Sequence, residues 1–460
     1  MTKRLDNING QGGERLLRTL VRVALPIAAQ SMISSSLNLV DNLIVGRLGE
    51  TALASVGLSV QIFFIHWMVM FGFSSGAATF MAQFWGKRDL ANIRRAVGIA
   101  VSCCFAASLL LFFLPAMLFP GKILGIFTNI PEVIAAGSVF VRINAISFLT
   151  VSFTVPFTAA LRATQQTHIP LRISIAVFGL NTLLNYTFVY GNFGAPALGV
   201  AGSALATAIA RLTELVLVIV AVFGLKNKIA GPLREFTSWA STLFRRICGN
   251  ALPTTLNETL WGIGMSMYNA AYGRIGVTAF AAVQASGTIQ NLFILACFSL
   301  GEAILIIVGE RLGQGDLAGA SRVARKLMKI CVLIGFAASV LLFATSRGII
   351  LLFDLTPEGA ECARLILAIY SLFLVVKIFN SAIVTGVLRC GGDTTFAMLA
   401  DVGTVWLVGV PLAFFGALWL KLPVYYVVLI VQADEFVKLF LTGYRFLSDK
   451  WVRNLVHDIG

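Results

Sequence analysis

Gly46-Arg47-Leu48-Gly49 returns 227 residues later as Gly273-Arg274-Ile275-Gly276. Outward from it the same offset holds. Ala24-Leu25-Pro26 recurs as Ala251-Leu252-Pro253, and Gly86 with Asp89-Leu90-Ala91 as Gly313 with Asp316-Leu317-Ala318. Leu161-Arg162 recurs as Leu388-Arg389, and Thr167 as Thr394. Chance similarity between leucine-rich helices would not fall repeatedly on Gly, Pro, Arg and Asp at one shift. The chain is a duplication, and internal duplication in a very apolar chain points first to a transporter.

Composition fixes the solvent. Of 460 residues, 58% are hydrophobic and 12% charged, half the charge of ordinary soluble domains. Apolar runs such as 101–118 and 365–376 recur throughout, as only a polytopic membrane protein uses them. The first 14 residues are polar and show no cleavable leader pattern. Seven scattered cysteines form no CxxC, and the three histidines have no metal spacing, so neither disulfides nor zinc is expected.

The pattern predicts an all-α polytopic membrane protein of twelve transmembrane helices. In the first half they cover 17–46, 52–84, 92–119, 133–159, 168–191 and 198–224. In the second they cover 245–273, 279–310, 319–345, 358–387, 394–418 and 422–447. With the N-terminus inside, the cytoplasmic segments hold 25 Lys and Arg and the outer segments five. That asymmetry places both termini in the cytoplasm and accounts for the formal charge of +14 without nucleic acid. Six spans per half start both halves on the same side. The expected arrangement is two six-helix lobes, 1–224 and 245–460, joined by a cytoplasmic linker at 225–244. A pseudo-two-fold axis along the membrane normal would relate them.

Polar residues inside apolar spans are costly and mark candidate sites. In span 1, Gln30, Ser34, Asn38 and Asp41 share a face, and Asp41 is the only carboxylate of that helix. Such a carboxylate can exchange a proton or ligate sodium with nearby amide oxygens. In span 5, Asn181 and Asn185 share a face; they could meet Asp41 within the first lobe or serve equally as structural hydrogen-bonding groups. In span 7, Thr255, Glu258, Gly262, Met265 and Asn269 share a face, with Trp261 one turn after Glu258. A carboxylate beside aromatic and methionine surface suits a cationic, partly apolar compound. Glu302, Lys377 and Asp401 in spans 8, 10 and 11 complete the second-half candidates. Asp401 with Asp434, Glu435 and Lys438 of span 12 reads equally as a charge-compensated structural network. Arg211 and Glu214, three apart in span 6, read as a structural pair. Pro26 and Pro253 are expected to bend spans 1 and 7 at equivalent points.

Taken together, these elements resemble the MATE (multidrug and toxic compound extrusion) family of secondary transporters over essentially the whole chain. The resemblance rests on Leu25-Pro26 with Asp41, Gly86-x-x-Asp89 and Gly313-Gln314-Gly315-Asp316, and Asn181 with Asn185. It also rests on Leu198-Gly199-x-x-Gly202 and on Leu388-Arg389-x-Gly391-Gly392-Asp393-Thr394. Glu258-x-x-Trp261, Lys377-x-x-Asn380 and Asp401-x-x-x-x-Trp406 look like a subgroup common in Gram-positive bacteria.

The resemblance implies an efflux antiporter for organic compounds, monomeric, in the bacterial plasma membrane. It implies no cofactor beyond Na+ or H+ as the coupling ion. The family's first-lobe cation site maps to Asp41 and Asn181, where Na+ would bind, with Asn38 and Asn185 beside them. Some members carry an aspartate where this chain has Asn185, which counts against a two-aspartate proton mechanism. Others use a span 7 glutamate, here Glu258, so the sequence leaves open which lobe holds the coupling site. The alternative within transport is a flippase for a lipid-linked precursor, for which Lys377, Arg142 and Arg364 are the candidate cations. An enzyme is not expected: no nucleophile–base or metal set is present, and neither is a GxxxxGK[ST] loop.

Overall fold

The computed structural model describes residues 12–225, 227–350, 353 and 355–459. Asn38 and Cys297 lie in helices, but their side chains are outside the described residues, as is Lys226 of the linker. Among the described residues there are helices and turns and no strands.

Ten helices are long and apolar enough to cross a bilayer. Five of them are Arg15–Gly46, Glu50–Lys87, Leu90–Leu118, Ile146–Ala163 and His168–Tyr190. The others are Val200–Gly224, Val277–Gly313, Leu317–Ile350, Pro357–Leu388 and Thr394–Trp419. They correspond to spans 1–6 and 8–11. Helix Pro131–Asn144 runs into Ile146–Ala163 to complete span 4. The other two expected spans are helical as well: Ser241–Gly273 is span 7, and Val424–Val431 with Ala433–Leu447 is span 12. The first is less apolar because it carries Asn257, Glu258 and Asn269; the second, which carries Asp434, Glu435 and Lys438, is broken at Gln432 into segments each too short to cross alone. A helix whose polar groups face protein rather than lipid can afford them. Among the described residues the fold is all-α, and its helices account for the twelve expected spans.

The repeated residues hold these helices in equivalent ways. Asp89 caps span 3, its carboxylate accepting the Asn92 amide at 3.0 Å, and Asp316 accepts the Gly319 amide at 2.8 Å at the start of span 9. Gly49 and Gly276 turn the chain after spans 1 and 7 with φ of +106° and +151°, a region open mainly to glycine. Several spans contain wide π turns, at Ser108–Phe113, Ala382–Leu388 and Val405–Gly409 among others. Such turns shift the helical register by one residue and gather at functional positions.

By mutual packing the chain forms two compact units. One comprises residues 29–81 and 88–255; the other comprises the described part of 1–28, with 82–87 and 256–460. The linker carries a short helix, Leu233–Thr237. In the first unit that region is pinned to span 3 by Arg94, which bonds Glu235 at 2.6 Å and the Ile229 carbonyl at 3.1 Å. It is also pinned to the loop after span 4 by mutual amide bonds between Gln166 and Asn227.

Candidate functional site

In the first unit the geometry converges on Asp41. Span 5 presents Asn181 and Asn185 one turn apart, 1% and 0% exposed, toward span 1. Asn185 Nδ2 donates to Asp41 Oδ1 at 2.9 Å and to Asn181 Oδ1 at 3.0 Å. Tyr190 adds a second tie between the helices by donating to the Ile44 carbonyl at 2.7 Å. Two buried amide atoms keep no partner, Asn185 Oδ1 and Asn181 Nδ2. Among the described residues Asp41 forms no ion pair; its described hydrogen bond is the one from Asn185.

The rest of the span 1 face is used differently. Gln30 accepts from the Arg162 guanidinium at 2.7 Å, and Ser34 bonds the Gln30 carbonyl at 3.0 Å. Neither reaches span 5 through a described contact. Arg211 and Glu214 pair at 2.8 Å, as their spacing implies.

A cation held at Asp41 would have one carboxylate and the amide oxygens of Asn181 and Asn185. Oxygen ligands of this kind suit a hard cation. Among the described residues no group of three or more His, Cys, Asp or Glu side chains is placed to hold a metal ion.

The second unit solves its electrostatics in another way. Glu258 is buried and paired with the equally buried Arg389. The π turn Ala382–Leu388 immediately precedes Arg389 and sets where that guanidinium arrives. Asp401 is held by Lys438 Nζ at 2.7 Å and by Asn257 Nδ2 at 3.1 Å. Lys438 lies 3.7 Å from Glu435, whose carboxylate also accepts from Asn380 at 2.8 Å. Asp434 accepts the Tyr268 hydroxyl at 2.8 Å. The tightened turn at Gln432, between the two segments of span 12, sets the start of the helix that carries Asp434 and Glu435.

The structure thus joins Asp401 to the span 12 set through Lys438, which bonds Asp401 and Glu435 rather than the Asp434 that its spacing offers. Trp261 stacks edge-on against Phe298 at 6.1 Å, and Trp406 donates to the Leu260 carbonyl at 3.1 Å. Glu302 and Lys377 are half-buried, and Asn269 is exposed. Sequence reasoning did not single out Asn257, Arg389 or Tyr268 as partners. The signal was present for Arg389, which repeats Arg162: each arginine reaches back to the first helix of its own half, one to Gln30, the other to Glu258.

The MatE family profile matches twice, over residues 26–187 and 253–415. The two matches begin at Pro26 and Pro253, the 227-residue offset of the repeat. The chain belongs to the MatE family. It is a multi-pass membrane protein of a transporter family, and not an enzyme. It is 23% identical to the probable multidrug resistance protein NorM of Thermotoga maritima, covering 95% of this chain and 94% of the relative. It is 24% identical to the uncharacterized transporter YisQ of Bacillus subtilis over 90% of each chain, and 26% identical to the multidrug resistance protein MdtK of Yersinia pseudotuberculosis over 86% of each. Among solved structures it superposes on the outward-facing conformation of a multidrug resistance MATE family transporter with a TM-score of 0.84. That alignment has 18% identity and covers 95% of this chain and 98% of the other. A MOP superfamily transporter from Pyrococcus furiosus matches with a TM-score of 0.83 at 18% identity, over 95% and 98%. These MatE relatives share the fold over nearly the whole chain.

Proposed function

We propose that this MatE chain is a secondary active efflux antiporter. It exports amphipathic organic cations in exchange for Na+ or H+, as a monomer in the bacterial plasma membrane with both termini cytoplasmic. Lobes 1–224 and 245–460 rock about a central cavity, joined by the linker 225–244. Asp41, Asn181 and Asn185 take the coupling cation. The observation that carries this reading is the unpaired charge of Asp41. Glu258, Asp401 and Glu435 each face a cationic side chain, whereas Asp41 is met only by an amide. A carboxylate in a membrane span that forms no ion pair is the group that a mobile cation can neutralise.

The arrangement supports export of cations over flipping of a lipid-linked pyrophosphate. Arg364, a candidate for that role, is already bound to Glu361. Glu258 and Trp261 remain the candidates for substrate contact from the second lobe, together with Asn269, Glu302 and Lys377.

The test is export of a fluorescent organic cation from proteoliposomes, with Na+ and pH gradients imposed separately. One gradient is expected to drive export in the wild type and to fail in Asp41→Asn. Export that responds to neither gradient would overturn the antiport reading.

A further inference from the structure

Span 2 belongs by sequence to the first half, yet its last residues, 82–87, pack within the unit built on the second half. The contact is reciprocal under the repeat. A Cβ on Gly86 would lie 1.9 Å from the Glu310 carbonyl oxygen, and one on Gly313 would lie 1.8 Å from the Gln83 carbonyl oxygen. Gln83 and Glu310 are themselves 227 apart, as are Gly86 and Gly313. The ends of spans 2 and 8 therefore meet backbone to backbone through two equivalent glycines, and no other residue fits at either position.

The end of the chain fastens this crossing. Gln83, fully buried, donates to the Cys390 carbonyl at 2.8 Å and the Arg453 carbonyl at 3.2 Å, and accepts the Leu455 amide at 2.8 Å. Lys87 donates to the Ile459 carbonyl at 2.6 Å and the Val456 carbonyl at 3.4 Å. The segment Asp449–Ile459 that supplies these groups is anchored in the second half. Asp449 accepts from Ser321 at 2.8 Å and Arg325 at 2.6 Å, and Trp451 is fully buried against Gly391.

We propose that Asp449–Ile459 is a latch that holds the end of span 2 on the end of span 8, closing the cytoplasmic side, and that each transport cycle must release it. The word cytoplasmic rests on the orientation proposed above; the latch itself rests on the contacts. Buried Gln83 and exposed Lys87 differ in consequence. Gln83 bridges three segments that must part together, while Lys87 closes over them at the surface and is the part that solvent can compete for.

Cys390 is a built-in reporter. It is fully buried, lies against Gly309 of span 8, and its carbonyl is one of the groups bonded by Gln83. Its alkylation by a membrane-impermeant maleimide, followed by peptide mass spectrometry in inside-out vesicles without any gradient, reads the crossing directly. Lys87→Met and a chain ending at Asn454 are expected to raise the rate about three- to tenfold, the factor that loss of one or two hydrogen bonds gives. Gly86→Ala is expected to raise it further, because its methyl group cannot enter the crossing. Gly57→Ala, in the same helix with nothing within 4 Å, is the control and should match the wild type. Unchanged Cys390 reactivity in folded Lys87→Met and in the shortened chain would overturn the latch, whatever Gly86→Ala does. Because no ion gradient enters the assay, failure of the antiport reading would leave this result untouched.

Discussion

The two units meet the same problem, buried charge, with opposite solutions. In the first, Asp41 accepts from Asn185 and forms no ion pair among the described residues. In the second, Glu258 faces Arg389, and Asp401 and Glu435 share Lys438. The repeat makes the difference legible residue by residue. Asp41 corresponds to Tyr268, Gln30 to Asn257, Ser174 to Asp401 and Arg211 to Lys438. At the locus where the first half has a carboxylate on its first helix, the second half has a tyrosine donating to Asp434 on its sixth. Duplication preserved the cation on the sixth span, Arg211 or Lys438, but gave it different partners: Glu214 on its own helix in one case, Asp401 on a neighbouring helix in the other. A carboxylate that carries its counter-ion covalently in the protein has less use for a mobile one. This contrast is why we propose coupling in the first unit and a structural role for the charges of the second.

The largest effect expected from breaking this comparison falls on the fixed pairs. Arg389→Met strands the buried Glu258 carboxylate and should cost about 3–5 kcal/mol, read as a lowered unfolding temperature in detergent. The double variant Glu258→Gln with Arg389→Met should recover most of it, since removing both members of a buried pair is often close to neutral. A single variant as stable as the wild type would show that the pair does not carry the second unit. Next, Asn185→Leu removes the donor to Asp41 and is expected to cost about 1–3 kcal/mol, with a larger proportional loss of gradient-driven export than of stability. Loss of stability alone would make Asn185 structural. The smallest effects belong to the features that the two halves share: Asp89→Ala and Asp316→Ala should each cost about 1 kcal/mol by uncapping spans 3 and 9. Unequal losses would show that the equivalent caps are not equivalent in energy.

Much of this was readable before any coordinates. Twelve helices followed from apolar runs and the repeat. Two shared helical faces made a meeting of Asp41 with the span 5 amides one of two even readings, and the Asn185–Asp41 bond decides it. Asp41 is the only carboxylate of span 1, so its charge stood out. The second unit was harder to read because its partners are far apart in sequence. Asn257 lies 144 residues from Asp401, and Arg389 lies 131 from Glu258. A π turn and a tightened turn also alter the phase of spans 10 and 12, so face arithmetic on an ideal helix misplaces residues beyond them. Spacing alone offers Lys438 the Asp434 carboxylate at i,i+4, whereas its ammonium lies on Asp401 of span 11. The crossing of Gly86 and Gly313 left a clear trace, as repeated glycines. Only coordinates show that each receives the other's backbone.

The most direct measurement is a side-by-side comparison of Asp41→Asn and Asp401→Asn in proteoliposomes, at equal amounts of folded protein, scored as export per unit of imposed cation gradient. The account predicts that Asp41→Asn loses the response to the gradient while remaining as stable as the wild type. Asp401→Asn should keep the response and lose stability, because Lys438 is then short of a partner. An Asp41→Asn protein that still follows the gradient, beside an Asp401→Asn protein that does not, would contradict it.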